Sequence, residues 1–243
     1  MSSSAYTRYE LLRSFRNVRF FVLSLAFPVV LYLAVAGSQR HATFDGIAFP
    51  LYFMTAMATL GTMAAVISSG ARIAAERSVG WTRQMRITPL RAVAYFRAKV
   101  LCGYVMALLT IAVLCLLGTA LGVRLGVDGW VTVIGLLLIG LIPFALLGIL
   151  LGHLLTTDSI APAVGGITTL FALLGGVYGF QLAHSGPLFD VIRALPSYWL
   201  VQAGKTAVGG GVWHAEGWIV VGIWTALLAP LALWVYRRDT GRV

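Results

Sequence analysis

Long apolar runs separated by short polar stretches dominate this chain. Runs close to the ~20 residues that cross a bilayer as a helix recur along it. Little sequence lies between them, so we expect one transmembrane domain over residues 1–243, all-α in class. The six predicted spans are at about Phe20–Ala36, Ile47–Gly70, Val100–Val123, Trp130–Gly152, Ile160–Leu182 and Gly217–Tyr236.

A basic amphipathic segment, Arg72–Lys99, separates the second span from the third. The helix of the second span is expected to continue to about Ser78, where Gly80 can end it. Residues 81–87 then form about two helical turns. The pair Thr88-Pro89 starts the next helix, since threonine caps a helix and proline suits its first position. A short crosspiece joined to two membrane helices can transmit a displacement to both.

Two further polar regions are predicted to lie at the membrane surface. The first 19 residues alternate aromatic and basic positions, which is typical of an interfacial helix. The segment 183–216 is apolar but too short in each part to span, and Pro196 divides it. We expect two short re-entrant helices there, on the external side before the sixth span.

Glycines spaced four residues apart occur in three of the spans. Such spacing lets two helices approach closely. The pairs are Gly118 with Gly122, Gly148 with Gly152, and Gly175 with Gly179.

Charge sets the orientation of the spans. The chain is 59% hydrophobic and only 11% charged, which excludes an ordinary soluble domain. With the N-terminus inside, 14 of the 18 basic residues fall on the cytoplasmic side. We therefore expect a multi-pass protein of the bacterial inner (plasma) membrane with both termini cytoplasmic. The net charge of +10 reflects topology and anionic lipid headgroups, not nucleic-acid binding.

Sequence motifs for an energy source of its own are missing from the chain. Gly204-Lys205-Thr206 resembles the end of a P-loop, but Trp199 stands where that motif needs a glycine. The histidines are scattered, and we expect no cofactor or metal site. No acidic residue is predicted at mid-membrane, where a proton- or sodium-coupled carrier normally has one. A subunit driven by a separate protein is favoured, with a membrane-embedded enzyme, an assembly factor and a secondary carrier as alternatives.

The crosspiece carries a family resemblance. Glu76-Arg77-Ser78-Val79-Gly80, followed by Met85-Arg86-Ile87-Thr88-Pro89-Leu90, resembles the signature of the type-2 ABC exporter permeases. These form the membrane subunits of drug, antibiotic and polysaccharide exporters. The order of the other elements is similar over the whole chain.

The resemblance implies that residues 81–87 are a coupling helix that docks on a cytoplasmic ABC ATPase. Two copies of that ATPase would bind ATP and Mg, and this chain would not be an enzyme itself. The residues implied in coupling are Glu76, Arg77, Gly80, Trp81, Arg83, Gln84, Met85, Arg86, Thr88 and Pro89.

A second permease half is implied as well, giving a homodimer or a heterodimer with a similar permease. The family lines its route largely with the second and fifth spans, where the candidates are Phe53, Met57, Phe171 and Tyr178. Methionine and aromatic residues favour a hydrophobic or amphiphilic substrate. We therefore expect drug or antibiotic efflux, and hence antibiotic resistance, ahead of glycan or lipid export.

Overall fold

The structure, a computed structural model, describes residues 3–16, 18–44, 46–80, 92–178, 185–208 and 211–240. Within these ranges the chain forms ten helices and one small hairpin. The helices are α1 (Ser3–Arg16), α2 (Val18–Ser38), α3 (Phe49–Ser78), α4 (Ala92–Ala120), α5 (Val127–Gly140), α6 (Ile142–Leu154), α7 (Thr157–Leu174), α8 (Pro187–Arg193), α9 (Pro196–Val208) and α10 (Ala215–Thr240). The hairpin pairs β1 (Thr43–Phe44) with β2 (Ile47–Ala48).

Five helical segments among the described residues are long and apolar enough to cross a membrane. The described apolar stretch of α2, Leu25–Ser38, is shorter than these. The predicted mostly helical, multi-span architecture is confirmed at that level, while the number six and the division into one domain stay predictions. The five segments are Phe49–Ser78, Ala94–Ala120, Val127–Leu154, Thr157–Leu174 and Ala215–Arg238.

Two of the spans differ from the predicted pattern. The fourth is broken at Leu141 into α5 and α6, because Pro143, in the first turn of α6, cannot donate a backbone hydrogen bond. The fifth was expected to reach Leu182, but α7 ends at Leu174. Gly176, at φ +79°, takes a left-handed conformation that ends a helix easily only at glycine. The hairpin β1–β2 was also missed by the all-α prediction.

Helix α3 is the centre of the fold. It has 30 residues, begins at Phe49, two residues after the predicted start of the span, and ends at Ser78, as the sequence predicts. In the apolar stretch of α3 that could span a membrane, 89% is buried inside the protein. The corresponding share for α7 is 17%. Helices α2, α4, α6, α7 and α9 all pack against it. A movement of α3 therefore bears on most of the membrane-spanning structure.

A close glycine contact joins α3 to α6. A Cβ on Gly148 would lie 2.8 Å from Ile67 Cα, and one on Gly152 would lie 2.5 Å from the Gly70 carbonyl oxygen. Only residues without a side chain let the two backbones approach this closely. The predicted close approach at Gly148 and Gly152 is confirmed. The end of α6 is thereby held against the last third of α3.

Candidate functional site

The last turn of α3 sends two charged side chains in different directions. Glu76 points towards α1 and α4, while Arg77 reaches the end of α6. The next residues, Val79 and Gly80, lead straight into the predicted crosspiece. Three other helices are thus attached to α3 at the point where a pull on the crosspiece would arrive.

Glu76 is the centre of a buried ion cluster, which we define as Glu10, Arg13, Glu76, Tyr95 and Lys99. Lys99 Nζ lies 2.5 Å from an oxygen of each carboxylate, Glu10 and Glu76. Arg13 Nη1 donates to the same Glu76 oxygen at 3.1 Å. The Tyr95 hydroxyl donates to the other Glu76 oxygen at 2.6 Å. Both oxygens of Glu76 are therefore occupied.

Burial makes this cluster sensitive to the loss of any charge. The side chain of Lys99 is 1% exposed and those of Glu10 and Glu76 are 3% exposed, whereas Arg13 is 50% exposed. Two carboxylates and two cations balance one another within the cluster, and the partly buried Arg72 on α3 adds a further positive charge that interacts with both carboxylates. Removing one partner of such a buried pair typically destabilises a fold by ~3–5 kcal/mol, because a charge is left uncompensated. Helices α1, α3 and α4 are held in one geometry as a result.

Arg77 fixes the end of α6. Its Nη1 donates to the His153 carbonyl oxygen at 2.6 Å and to that of Gly152 at 3.4 Å. The last carbonyls of a helix have no partner within the helix and carry partial negative charge. A guanidinium there satisfies them and matches their charge.

An aromatic group extends the connection to α10. The Phe96 and Tyr236 rings meet edge to face with centroids 4.7 Å apart. The His153 ring lies 5.9 Å from Phe96 and 5.7 Å from Tyr236. These three residues belong to α4, α10 and α6. Through them and Arg77, α10 is linked to the same end of α3.

The predicted coupling residues are only partly described. Glu76 and Arg77 take the positions given above, and Gly80 turns the chain at φ +71° just after α3. Gly80 ends this helix, as expected from the sequence. The other predicted coupling residues lie outside the described residues, and their docking role stays a prediction: Trp81, Arg83, Gln84, Met85, Arg86, Thr88 and Pro89.

The candidate route residues do not share one surface in this conformation. Phe53 and Met57 are enclosed by the chain itself, with Phe53 stacked against Phe49 and Tyr32. Phe171, on α7, is half-buried and meets other aromatic rings edge to face; Tyr178, beyond α7, is half-buried too. Their part in a substrate route stays a prediction.

The P-loop-like triplet lies inside a helix. Gly204, Lys205 and Thr206 are within α9. A Cβ on Gly204 would lie 2.7 Å from the Thr55 methyl group, so this glycine allows α9 to pack on α3.

Sequence reasoning missed most of the ion cluster. It predicted no partner for Lys99, whereas the structure buries this side chain between two carboxylates. The pairing depends on α1, which packs on α4 and brings Glu10 to Lys99. One signal was available: Glu10 is the one acidic residue among the first 44, in a helix otherwise rich in arginine.

Comparison with known proteins decides the family. Residues 24–235 match the profile of a protein family described as "ABC-2 family transporter protein". The chain belongs to this family. This ABC-2 family chain is also 25% identical to the Bacillus subtilis (strain 168) protein named as transport permease YvfS, over 232 residues and 95% of each chain.

Family membership confirms the resemblance drawn from the crosspiece. The ABC-2 chain is a multi-pass membrane protein and a transport permease component. In general, permeases of this family work with an ABC ATPase partner. The ion cluster and the Arg77 contact lie directly before the segment that the resemblance assigns to that partner.

Proposed function

We propose that this chain is one permease half of an ATP-driven exporter, powered by two copies of a separate cytoplasmic ABC ATPase that bind ATP and Mg. The ion cluster at the end of α3 is the observation that carries the proposal. It lies where a displacement of residues 81–91 would enter the membrane-spanning helices. Membership of the family supports a role in transport, and the ion cluster provides a path along which movement can pass to the helices.

The path works because the joined helices cannot separate easily. Helix α3 is about 45 Å long at 1.5 Å per residue, and the apolar stretch that could span a membrane is almost wholly buried. Pulling α3 away from α1 or α4 would leave buried charges without partners. Pulling it away from α6 would break the Arg77 contacts and the glycine contact. A push on the crosspiece therefore moves these helices together instead of bending one of them.

The predicted coupling residues divide the work in this proposal. Glu76, Arg77 and Gly80 connect the crosspiece to the membrane helices. Trp81, Thr88 and Pro89 shape the crosspiece, while Arg83, Gln84, Met85 and Arg86 contact the ATPase. The polar and charged members of this last set suit the surface of a soluble partner.

A second permease half, as a homodimer or with a similar permease, completes the exporter. Helix α7 supports this, because its exposed face carries Gly165, Gly166 and Thr169 beside the larger Leu170, and a Cβ on either glycine would meet nothing within 4 Å. Faces of small residues favour helix–helix contact over contact with lipid tails. The substrate route would run between the halves, with the four candidates Phe53, Met57, Phe171 and Tyr178 reached in another conformation.

Drug or antibiotic efflux is the favoured transport role, with glycan or lipid export by the same mechanism as the second candidate. The methionine and aromatic residues of α3 fit an apolar amphiphile better than a hydroxyl-rich glycan. The orientation proposed is that of an inner (plasma) membrane protein with both termini in the cytoplasm.

Accumulation of ethidium in cells without other efflux systems tests the proposal. Cells carrying the permease and its ATPase should accumulate less ethidium than cells lacking the permease. Glu76→Gln should abolish the difference, since Lys99 then has one carboxylate fewer. Glu216→Gln is the matched control, because Glu216 pairs with Arg193 at an exposed position. Full efflux by the Glu76→Gln variant, present at normal levels in the membrane, would contradict the coupling role. If the permease leaves ethidium accumulation unchanged but alters the glycan or lipid at the cell surface, the drug role would be contradicted.

A further inference from the structure

A groove on the outer surface of the helix bundle lies beside the aromatic group and shares Phe96 with it. It is about 760 Å³ in volume and lies between α4, α6 and α10. On α10 it is lined by the small residues Ala229 and Ala232, which leave space open, and by Leu233. It is a separate feature from the ion cluster, although both use the first part of α4.

The lining of the groove is apolar except at one end. Along α4 it follows Val100, Leu101, Tyr104 and Leu108, which recur on one face of a helix. The Tyr104 hydroxyl cannot donate to a group in the groove, because it already donates to the Leu138 carbonyl oxygen at 3.0 Å. The exception is Arg97, an exposed cation at the end nearest the ion cluster.

The length of the groove matches one leaflet of a bilayer. From Arg97 to Leu108, helix α4 rises about 16 Å at 1.5 Å per residue. Half of the ~30 Å hydrocarbon core is about 15 Å. A further transmembrane helix would cover both leaflets, whereas a lipid chain covers one. The dimensions therefore favour a lipid over a partner helix.

Charge complementarity identifies the kind of lipid. Arg97 stands at the headgroup end, where a guanidinium can bind a phosphate through paired hydrogen bonds. One helical turn beyond Leu233, on the same face of α10, Arg237 adds positive potential at this end. Basic positions between transmembrane helices favour anionic headgroups.

We propose that this groove binds one anionic glycerophospholipid of the leaflet next to the ion cluster, with an acyl chain along α4 and the headgroup phosphate on Arg97. By occupying the space between α4 and α10, the lipid would complete the packing of two helices that the ion cluster and the aromatic group connect to α3. The inference is independent of the substrate and of the ATPase.

Native mass spectrometry of the purified full-length protein tests the proposal. Phosphatidylglycerol and phosphatidylcholine with identical acyl chains are titrated separately. Both lipids carry the phosphate, but the quaternary ammonium of phosphatidylcholine cancels its charge and lies close to the cations Arg97 and Arg237. We therefore expect phosphatidylglycerol to bind about tenfold more tightly. Glycerol phosphate, which has no acyl chain, should not bind measurably.

Variants at the two ends of α4 separate a site from general attraction. Arg97→Gln should remove the preference for phosphatidylglycerol. Arg124→Gln, the same charge change just beyond the other end of α4, should retain it. Leu108→Trp should weaken both lipids by filling the groove, and Leu101→Trp serves if that protein does not fold. Both leucines are more than two-fifths exposed, so little core packing is disturbed.

Equal binding of the two lipids by the wild-type protein would overturn the proposal. So would a preference for phosphatidylglycerol that survives Arg97→Gln. A third contrary result concerns Leu108→Trp and Leu101→Trp. If these variants change the number of protein copies in the complex but not lipid binding, the groove is a contact between proteins.

Discussion

Replacing Lys99 by methionine removes the cation that joins the two buried carboxylates of the ion cluster. Methionine keeps a similar length and leaves no cavity large enough to confuse the result. Glu10 and Glu76 then retain Arg13, which is half-exposed and was bonded to Glu76 already, and the electrostatic attraction of Arg72 on α3. Since a broken buried pair costs ~3–5 kcal/mol, we expect Lys99→Met to lose that much stability.

That loss corresponds to a clear change in melting temperature. At about 2–4 °C per kcal/mol for a chain of this size, the midpoint should fall by about 6 to 20 °C. A thiol-reactive dye can follow unfolding in detergent, because Cys102 is buried and Cys115 is half-buried in α4. Arg193→Met is the matched control. It breaks an exposed pair with Glu216, worth ~1 kcal/mol or less.

Neutralising the whole cluster separates folding from coupling. The triple variant Glu10→Gln, Glu76→Gln, Lys99→Met removes both buried carboxylates together with Lys99. It leaves the partly exposed Arg13 and Arg72 without these carboxylates, so part of the lost stability, not all of it, should return. It should still fail in ATP-driven transport, because charged contacts no longer hold α1 and α4 to α3. A wild-type melting curve for Lys99→Met, or a triple variant no more stable than the single one, would refute this reasoning.

Three further predictions concern the surroundings of the cluster. Gly148→Ala should lose about 1–3 kcal/mol by forcing α6 away from α3, while Gly135→Ala, which meets nothing within 4 Å, should lose nothing in the same melting assay. Arg77→Gln should speed amide hydrogen exchange at the end of α6 and leave α9 unchanged, because it frees carbonyls that the guanidinium satisfies; equal exchange in both proteins would count against the cap. In a cysteine-free background, an impermeant maleimide should label Ser38→Cys from outside intact cells and Ser78→Cys only after permeabilisation; the reverse pattern would invert the orientation.

Local chemistry explains why parts of this fold could be predicted from sequence. The end of α3 follows from Gly80, whose positive φ is easy for glycine alone. The division between α8 and α9 follows from Pro196. The close contact of α6 with α3 follows from the spacing of Gly148 and Gly152. Each of these features is decided within a few residues.

The features that sequence missed depend on distant residues. Lys99 meets Glu10 across 89 positions and Glu76 across 23. Nothing in the spacing of these residues predicts that α1 folds over the end of α4. Burial of Phe53 and Met57 within the chain was equally unpredictable, because α3 is apolar on every face and its helical period does not show which neighbours cover it.

A separate ATPase is proposed to act on this chain through the segment after α3. The most direct test is purification of the chain from its native membrane in mild detergent, with the bound proteins identified and quantified. We predict a P-loop ATPase in equal amount, reduced by Arg83→Glu and Arg86→Glu but not by Arg124→Glu on the opposite side. Purification of the chain without an ATPase would contradict this proposal. So would an amount of bound ATPase that is unchanged by Arg83→Glu and Arg86→Glu.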